Sequence, residues 1–224
     1  MKSFKHWTPR YILDRLKLLA YERTHPDAPW LNQAMVRILA SWLRPEDRVL
    51  EWGSGRSTLW FACRVGQIIS IEHDESWYRR VSSQIEDKRL RNVDYRLSPE
   101  SEYATQTADF SAGSFDVCLI DGIVRDDCAL AGLRCLKPGG ILVVDNCNWY
   151  LPCDSRSPGS RRAADGPASQ GWGHFLSIVE GWRRIWTSNG VYDTALWVKS
   201  PEDRPQNTVS LRSSERRLQS ESLR

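Results

Sequence analysis

Val49-Leu50-Glu51-Trp52-Gly53-Ser54-Gly55-Arg56-Ser57-Thr58 decides the fold of this 224-residue chain. A short apolar run enters a glycine turn, and the turn opens into a segment with helical spacing. Glycine lets the backbone turn tightly and lets a ligand lie against it. The helix start beyond such a turn presents backbone N–H groups that have no partner within the helix.

The same strand–helix alternation continues outward from this stretch. Strands are expected at Arg48–Trp52, Gln67–Glu72, Val93–Leu97, Phe115–Ile120 and 141–144, with helices at 57–65, 77–88 and 126–135. Apolar strands joined by helices imply a parallel sheet covered on both faces. Upstream, apolar residues at helical spacing mark helices over 10–24 and 30–43, ended by His25-Pro26-Asp27 and Pro45. They form an N-terminal helical cap over residues 1–44, ahead of a main domain over 45–200. After a helix at 173–182, Ser188-Asn189-Gly190 separates two apolar runs. An Asn-Gly step in that setting predicts an antiparallel hairpin at the sheet edge. Residues 151–171, LPCDSRSPGSRRAADGPASQG, read as a mobile loop that closes over the pocket when ligand binds. Residues 201–224 are polar and without periodicity, so a disordered tail is expected there.

Composition excludes several classes. Over residues 1–150, 20 Lys and Arg face 20 Asp and Glu, and the whole chain carries a formal charge of +3. No concentrated basic face marks a nucleic-acid partner. No apolar run approaches the ~20 residues that span a bilayer, and the charged start MKSFKHWTPRYILDRLK is unlike a secretory signal. The six cysteines form no C-x-x-C pair, which fits reduced thiols in a cytoplasmic protein.

Glu72 ends the second strand, 19 residues after Gly53. In nucleotide-binding α/β folds an acid at that place accepts hydrogen bonds from ribose hydroxyls. A glycine turn with such an acid suits either a dinucleotide or S-adenosylmethionine. The dinucleotide pattern G-x-G-x-x-G requires glycine at Thr58, and the chain lacks it.

EWGSGRST, IEHD, FDVCLIDG and LKPGGILVVDN occur in an order that resembles the motifs of class I S-adenosylmethionine-dependent methyltransferases. The resemblance covers residues 45–150 and the closing strand pair. It implies a Rossmann-like α/β fold: a seven-stranded, mostly parallel sheet with helices on both faces and an antiparallel C-terminal strand. It sets Glu51, Gly53, Ser54, Gly55 and Ser57 around the methionine part of the cofactor, and Glu72 at the ribose. His73 and Ser98 would border adenine, and Asp121 would lie near methionine or the reacting centre. Ser57 departs from the family, where many members carry a third glycine. The implied function is methyl transfer to oxygen of a small-molecule acceptor. The alternatives are an NAD(P)-dependent oxidoreductase and a methyltransferase-like binding module without turnover.

The reacting end of such a sheet lies beyond the carboxyl ends of its strands. Asp121, Asp145 and Asn146 fall there and are the catalytic candidates. Two carboxylates and an amide oxygen are also hard ligands that suit Mg²⁺. The pattern LIDG…VVDN resembles catechol-type metal-dependent O-methyltransferases, in which the matching residues hold the metal. Those enzymes carry a lysine three positions after the first aspartate. Here Val124 stands at that position, followed by Arg125, which stays protonated and is a poor base. His174 is a candidate general base. Arg156, Arg161 and Arg162 are candidates to clamp an anionic acceptor.

Overall fold

The computed structural model describes residues 7–201; the expected tail over 202–224 lies outside the described residues. Seven strands form one sheet: β1 (Arg48–Trp52), β2 (Gln67–Glu72), β3 (Val93–Leu97), β4 (Phe115–Ile120), β5 (Leu136–Asp145), β6 (Arg183–Ser188) and β7 (Asp193–Val198). Their spatial order is β3-β2-β1-β4-β5-β7-β6. The first five are parallel, and β7 runs antiparallel to both β5 and β6. This is the expected Rossmann-like sheet, with the order of its parallel strands reversing at β1.

Six helices accompany it: α1 (Pro9–Thr24), α2 (Gln33–Trp42), α3 (Arg56–Ala62), α4 (Glu75–Asp87), α5 (Arg125–Cys135) and α6 (Gln170–Ile178). Alternate strand residues face opposite sides. Leu50, Trp52, Cys118, Ile120, Leu142 and Val144 pack with Ala129 and Leu133 of α5 and with Trp172 and Phe175 of α6. Val49, Ile68, Val117, Leu119, Ile141 and Val143 pack with Met35 and Leu39 of α2 and Phe61 of α3. Both faces are therefore dry. That is why these strands read as continuous apolar runs and not as alternating ones.

Local chemistry sets the element ends. The Asn32 side chain caps α2 by accepting from Ala34 N at 3.0 Å, and Asp74 caps α4 by accepting from Trp77 N at 2.7 Å. The β6–β7 turn is closed by Asn189 Oδ1, which accepts from the amides of Val191 and Tyr192. β5 begins earlier than its apolar run indicates. Phe115 already pairs with Leu136, and a register shift absorbs the Lys137-Pro138-Gly139-Gly140 insertion before Val117 pairs with Ile141. α2 shares its core with the sheet, so residues 33–42 pack as part of the main domain.

Where composition reads as a mobile loop, the structure gives residues 151–169 a hydrogen-bonded path. Cys153 N bonds Arg161 O, Arg161 N bonds Asn148 O, and Ala168 N bonds Tyr150 O. Buried Ser157 donates to Asp193 Oδ1 at 2.6 Å. Long-range bonds of this kind leave no trace in composition. Slow hydrogen exchange at the amides of Cys153, Arg161 and Ala168 without ligand is the expected outcome, and exchange at free-coil rates would contradict it.

Gly53 makes the turn after β1 with φ +92°, and a Cβ there would lie 2.5 Å from Gly122 N. Gly53→Ala is expected to destabilise the protein by about 1–3 kcal/mol from its left-handed backbone alone, and by more once the overlap is relieved. Denaturant unfolding of the variant beside wild type checks this.

Candidate active site

The carboxyl ends of β1, β2, β4 and β5 carry a row of acids: Glu51, Glu72, Asp121 and Asp145. Because both faces of the sheet are apolar, these groups have few places to find partners, and each uses its neighbours differently.

Glu51 is fully buried beneath the glycine turn. Its Oε2 accepts from Thr58 Oγ1 and Ser70 Oγ, both at 2.6 Å. Its Oε1 has no partner. Burial pushes its pKa up to about 7, against the lowering influence of the nearby Ser57, Ser70 and Thr58 hydroxyls. Glu72 closes the turn from the other side. Its Oε2 accepts from Ser54 N at 3.1 Å and Ser54 Oγ at 2.8 Å. Its Oε1 accepts from the amides of His73 and Asp74 at 2.8 and 2.9 Å. The imidazole of His73 lies 3.0 Å from the same oxygen. Ser98 is buried at the end of β3, and its amide bonds Glu72 O at 2.8 Å. The cofactor candidates Glu51, Gly53, Ser54, Gly55, Ser57, Glu72, His73 and Ser98 thus gather around one turn.

The second group lies at β4 and β5. Asp121 and Asp145 are raised above the ordinary carboxylate range chiefly by burial, and the charge of Asp121 raises Asp145 further. Between them stands Arg125, the first residue of α5. Its Nε donates to Gly122 O at 2.8 Å. Its NH1 donates to Asp145 O at 2.5 Å and Asn146 Oδ1 at 3.3 Å. Its NH2 donates to Asp121 O at 2.7 Å and Asp121 Oδ1 at 3.0 Å. Asp145 Oδ1 is taken from the far side by Thr194 Oγ1 at 2.5 Å. Asp121, Asp145 and Asn146 therefore converge, but on a guanidinium. Among the described residues, no group of three or more His, Cys, Asp or Glu side chains is placed to hold a metal ion. The oxygen set read as a Mg²⁺ site fits one poorly, because Asp121 Oδ1, Asp145 Oδ1 and Asn146 Oδ1 each already accept from a protein donor and a guanidinium stands among them.

His174 is exposed on α6 and bonds through its backbone carbonyl, to Ser177 Oγ; among the described contacts its ring meets no acid of this site. Arg161 and Arg162 serve the chain itself. Arg161 donates to Gly166 O and Asp165 O, and Arg162 to Cys153 O and Ser155 O. Only Arg156 of the three lines a cleft, one of about 910 Å³ bounded by α1, residues 152–156 and the β6–β7 turn. Asp193, next in the chain to Thr194, which pairs with Asp145, lines it; Asp121, Asp145 and Asn146 are not among its lining residues. Sequence reading missed the structural part of Arg125. It also missed Tyr103, whose buried ring lies edge-on to His73 and whose Oη donates to Ile71 O at 3.0 Å. A signal for the first existed: Arg125 lies four residues after Asp121, at the start of a helix. Tyr103 sits in an irregular segment, where spacing carries no information.

The raised pKa of Glu51 has a sign that can be measured. Folded Glu51 holds its proton up to about pH 7, while the unfolded side chain releases it near pH 4.5. The cost is therefore absent below pH 4.5, grows as pH rises from 4.5 to about 7, and is constant above that. The full cost is on the order of 3 kcal/mol. Glu51→Gln is expected to remove this part of the slope, read by denaturant unfolding at acidic and alkaline pH; an unchanged slope would remove Glu51 as its source.

No family model and no curated sequence matches the chain. Solved structures do. The O-methyltransferase from Bacillus cereus in complex with SAH has a TM-score of 0.58 at 16% identity, over 86% of this chain and 91% of that one. The O-methyltransferase TomG from Streptomyces achromogenes, involved in tomaymycin synthesis and solved with SAM, has 0.57 at 18%, over 89% of this chain and 100% of that one. A methyltransferase from Geobacter sulfurreducens has 0.54 at 17%, over 84% and 88%. The chain has the Rossmann-like α/β fold of these methyltransferases.

Proposed function

We propose that this protein is an enzyme that transfers a methyl group from S-adenosylmethionine to an oxygen of a small polar acceptor. The observation that carries this is the unpartnered, buried Glu51 Oε1 beneath a glycine turn closed by Glu72, at the carboxyl edge of a methyltransferase-type sheet. A buried acceptor without a donor is costly. A cofactor ammonium would supply that donor, and it would lower the raised pKa of Glu51. Glu72 carries the ribose assignment through lone pairs now shared with Ser54, His73 and Asp74.

When bound, the cofactor supplies an already activated sulfonium methyl group. The protein's task is then to hold the acceptor hydroxyl in line with it and to receive a proton. The hydroxyl proton, released as the acceptor oxygen takes the methyl group, would pass to a base on this chain. Asp121 suits that base: it is partly exposed and burial holds it above the ordinary carboxylate range, closer to neutral pH. The cleft of about 910 Å³, which reaches this edge of the sheet at Asp193, is of ordinary small-ligand size. Its lining of arginine, aspartate, serine and asparagine around Trp186 and Tyr11 suits a polar acceptor.

Titration calorimetry is expected to detect binding of S-adenosylmethionine and none of NAD; the reverse would favour the oxidoreductase. Glu72→Ala is expected to weaken cofactor binding by about 1.5–3 kcal/mol, the usual range for a hydrogen bond to a charged group. Methyl transfer from labelled cofactor to pooled small hydroxylated acceptors separates the enzyme from a binding module.

A further inference from the structure

Two carboxylates and an amide oxygen at neighbouring strand ends form a set of hard donors, and such sets suit divalent cations. This one already holds a cation. Arginine has five N–H donors in a rigid fork; of the five bonds of Arg125, two end on Asp121 Oδ1 and Asn146 Oδ1 and three on the main-chain carbonyls of Asp121, Gly122 and Asp145. The side chain is only 11% exposed. Its planar face lies over the Tyr150 ring at 5.7 Å.

The backbone is bent to achieve this. Among the described residues, three that are not glycine have positive φ, and two of them flank this cluster: Val124 at +38° and Asn146 at +51°. A β-branched residue resists the left-handed region more than most. Val124 turns the chain so that α5 starts with the Arg125 side chain between β4 and β5. Asn146 turns it so that its amide oxygen meets the same guanidinium. A strained Val124 on one side and a left-handed Asn146 on the other point to a cation that the fold is built around.

We propose that Arg125 is a resident cation at the position a divalent metal would take, so that the Asp121–Asp145–Asn146 cluster excludes metal and is organised by the guanidinium. Arg125 is a positioning residue. It fixes the spacing of the β4 and β5 ends, orients Asp121 through Oδ1, and offsets part of the negative charge where the acceptor proton is to be received. A lysine would keep the charge but lose the planar fork.

The test reads metal binding and needs neither cofactor nor turnover, so its failure is distinguishable from failure of the methyltransferase reading. Mn²⁺ is titrated into the purified protein and free ion is followed by electron paramagnetic resonance, for wild type, Asp121→Asn, Arg125→Ala and the double variant Arg125→Ala/Asp121→Asn. Wild type is expected to leave Mn²⁺ free. Arg125→Ala is expected to gain a Mn²⁺ site, and the added Asp121→Asn to abolish it. Stoichiometric binding by wild type that Asp121→Asn removes would overturn the proposal. So would an Arg125→Ala protein that retains the native circular dichroism and takes up no Mn²⁺. If Arg125→Ala does not fold, wild type and Asp121→Asn decide the question by the same criterion.

Discussion

A sheet that is apolar on both faces leaves its chemistry one place to go, the ends of its strands. That constraint organises this molecule. Val49 and Leu50, Val117 and Cys118, and Ile141 and Leu142 alternate into two separate cores, and none of these positions has room for a polar group. Polar residues therefore accumulate where β1, β2, β4 and β5 stop. Parallel strands put four such ends side by side, and each carries an acid.

Acids gathered at one edge repel one another and lose water, so each must be answered locally. Glu72 is answered by the backbone of the turn that follows β2 and by Ser54, which ties it to the glycine turn after β1. Glu51 is answered on one oxygen by two hydroxyls and left with the other unpaired. The Asp121 carboxylate is answered by the Arg125 guanidinium, which also takes the main-chain carbonyl of Asp145, and the Asp145 carboxylate by Thr194. The site divides accordingly. The half around Glu51 and Glu72 retains an unmet acceptor, as befits a place that receives a ligand. The half around Asp145 is internally complete, and there the fold spends backbone strain to stay so. The same division separates the proposed cofactor end from the proposed acceptor end.

Much of this was legible before any coordinates. Four strands, Arg48–Trp52, Gln67–Glu72, Val93–Leu97 and Phe115–Ile120, stand where apolar runs between turn residues put them. The hairpin at Asn189-Gly190 follows from the turn chemistry alone, and Glu72 from its spacing to Gly53. The convergence of Asp121, Asp145 and Asn146 follows because residues after adjacent parallel strands face one crevice. These features are local, or depend only on strand order. Residues 151–169 are the contrary case. Pro, Gly and Ser describe which conformations are cheap, whereas the path there is held by Asn148, Tyr150 and Asp193, which composition cannot weigh.

What the sequence by itself determined is the alternation of strands and helices, the glycine turn and the row of acids, since each rests on the periodicity and conformational preference of neighbouring residues. Only the tertiary structure decided what occupies the acidic cluster. From the sequence, Asp121, Asp145 and Asn146 read as ligands awaiting a metal, and Arg125 as a departure from the lysine pattern. The guanidinium belongs there because Val124 adopts a left-handed conformation that swings the start of α5 inward, and because β5 lies next to β4. A side chain's direction at a strained helix start depends on the elements packed around it, and residue spacing carries no record of them.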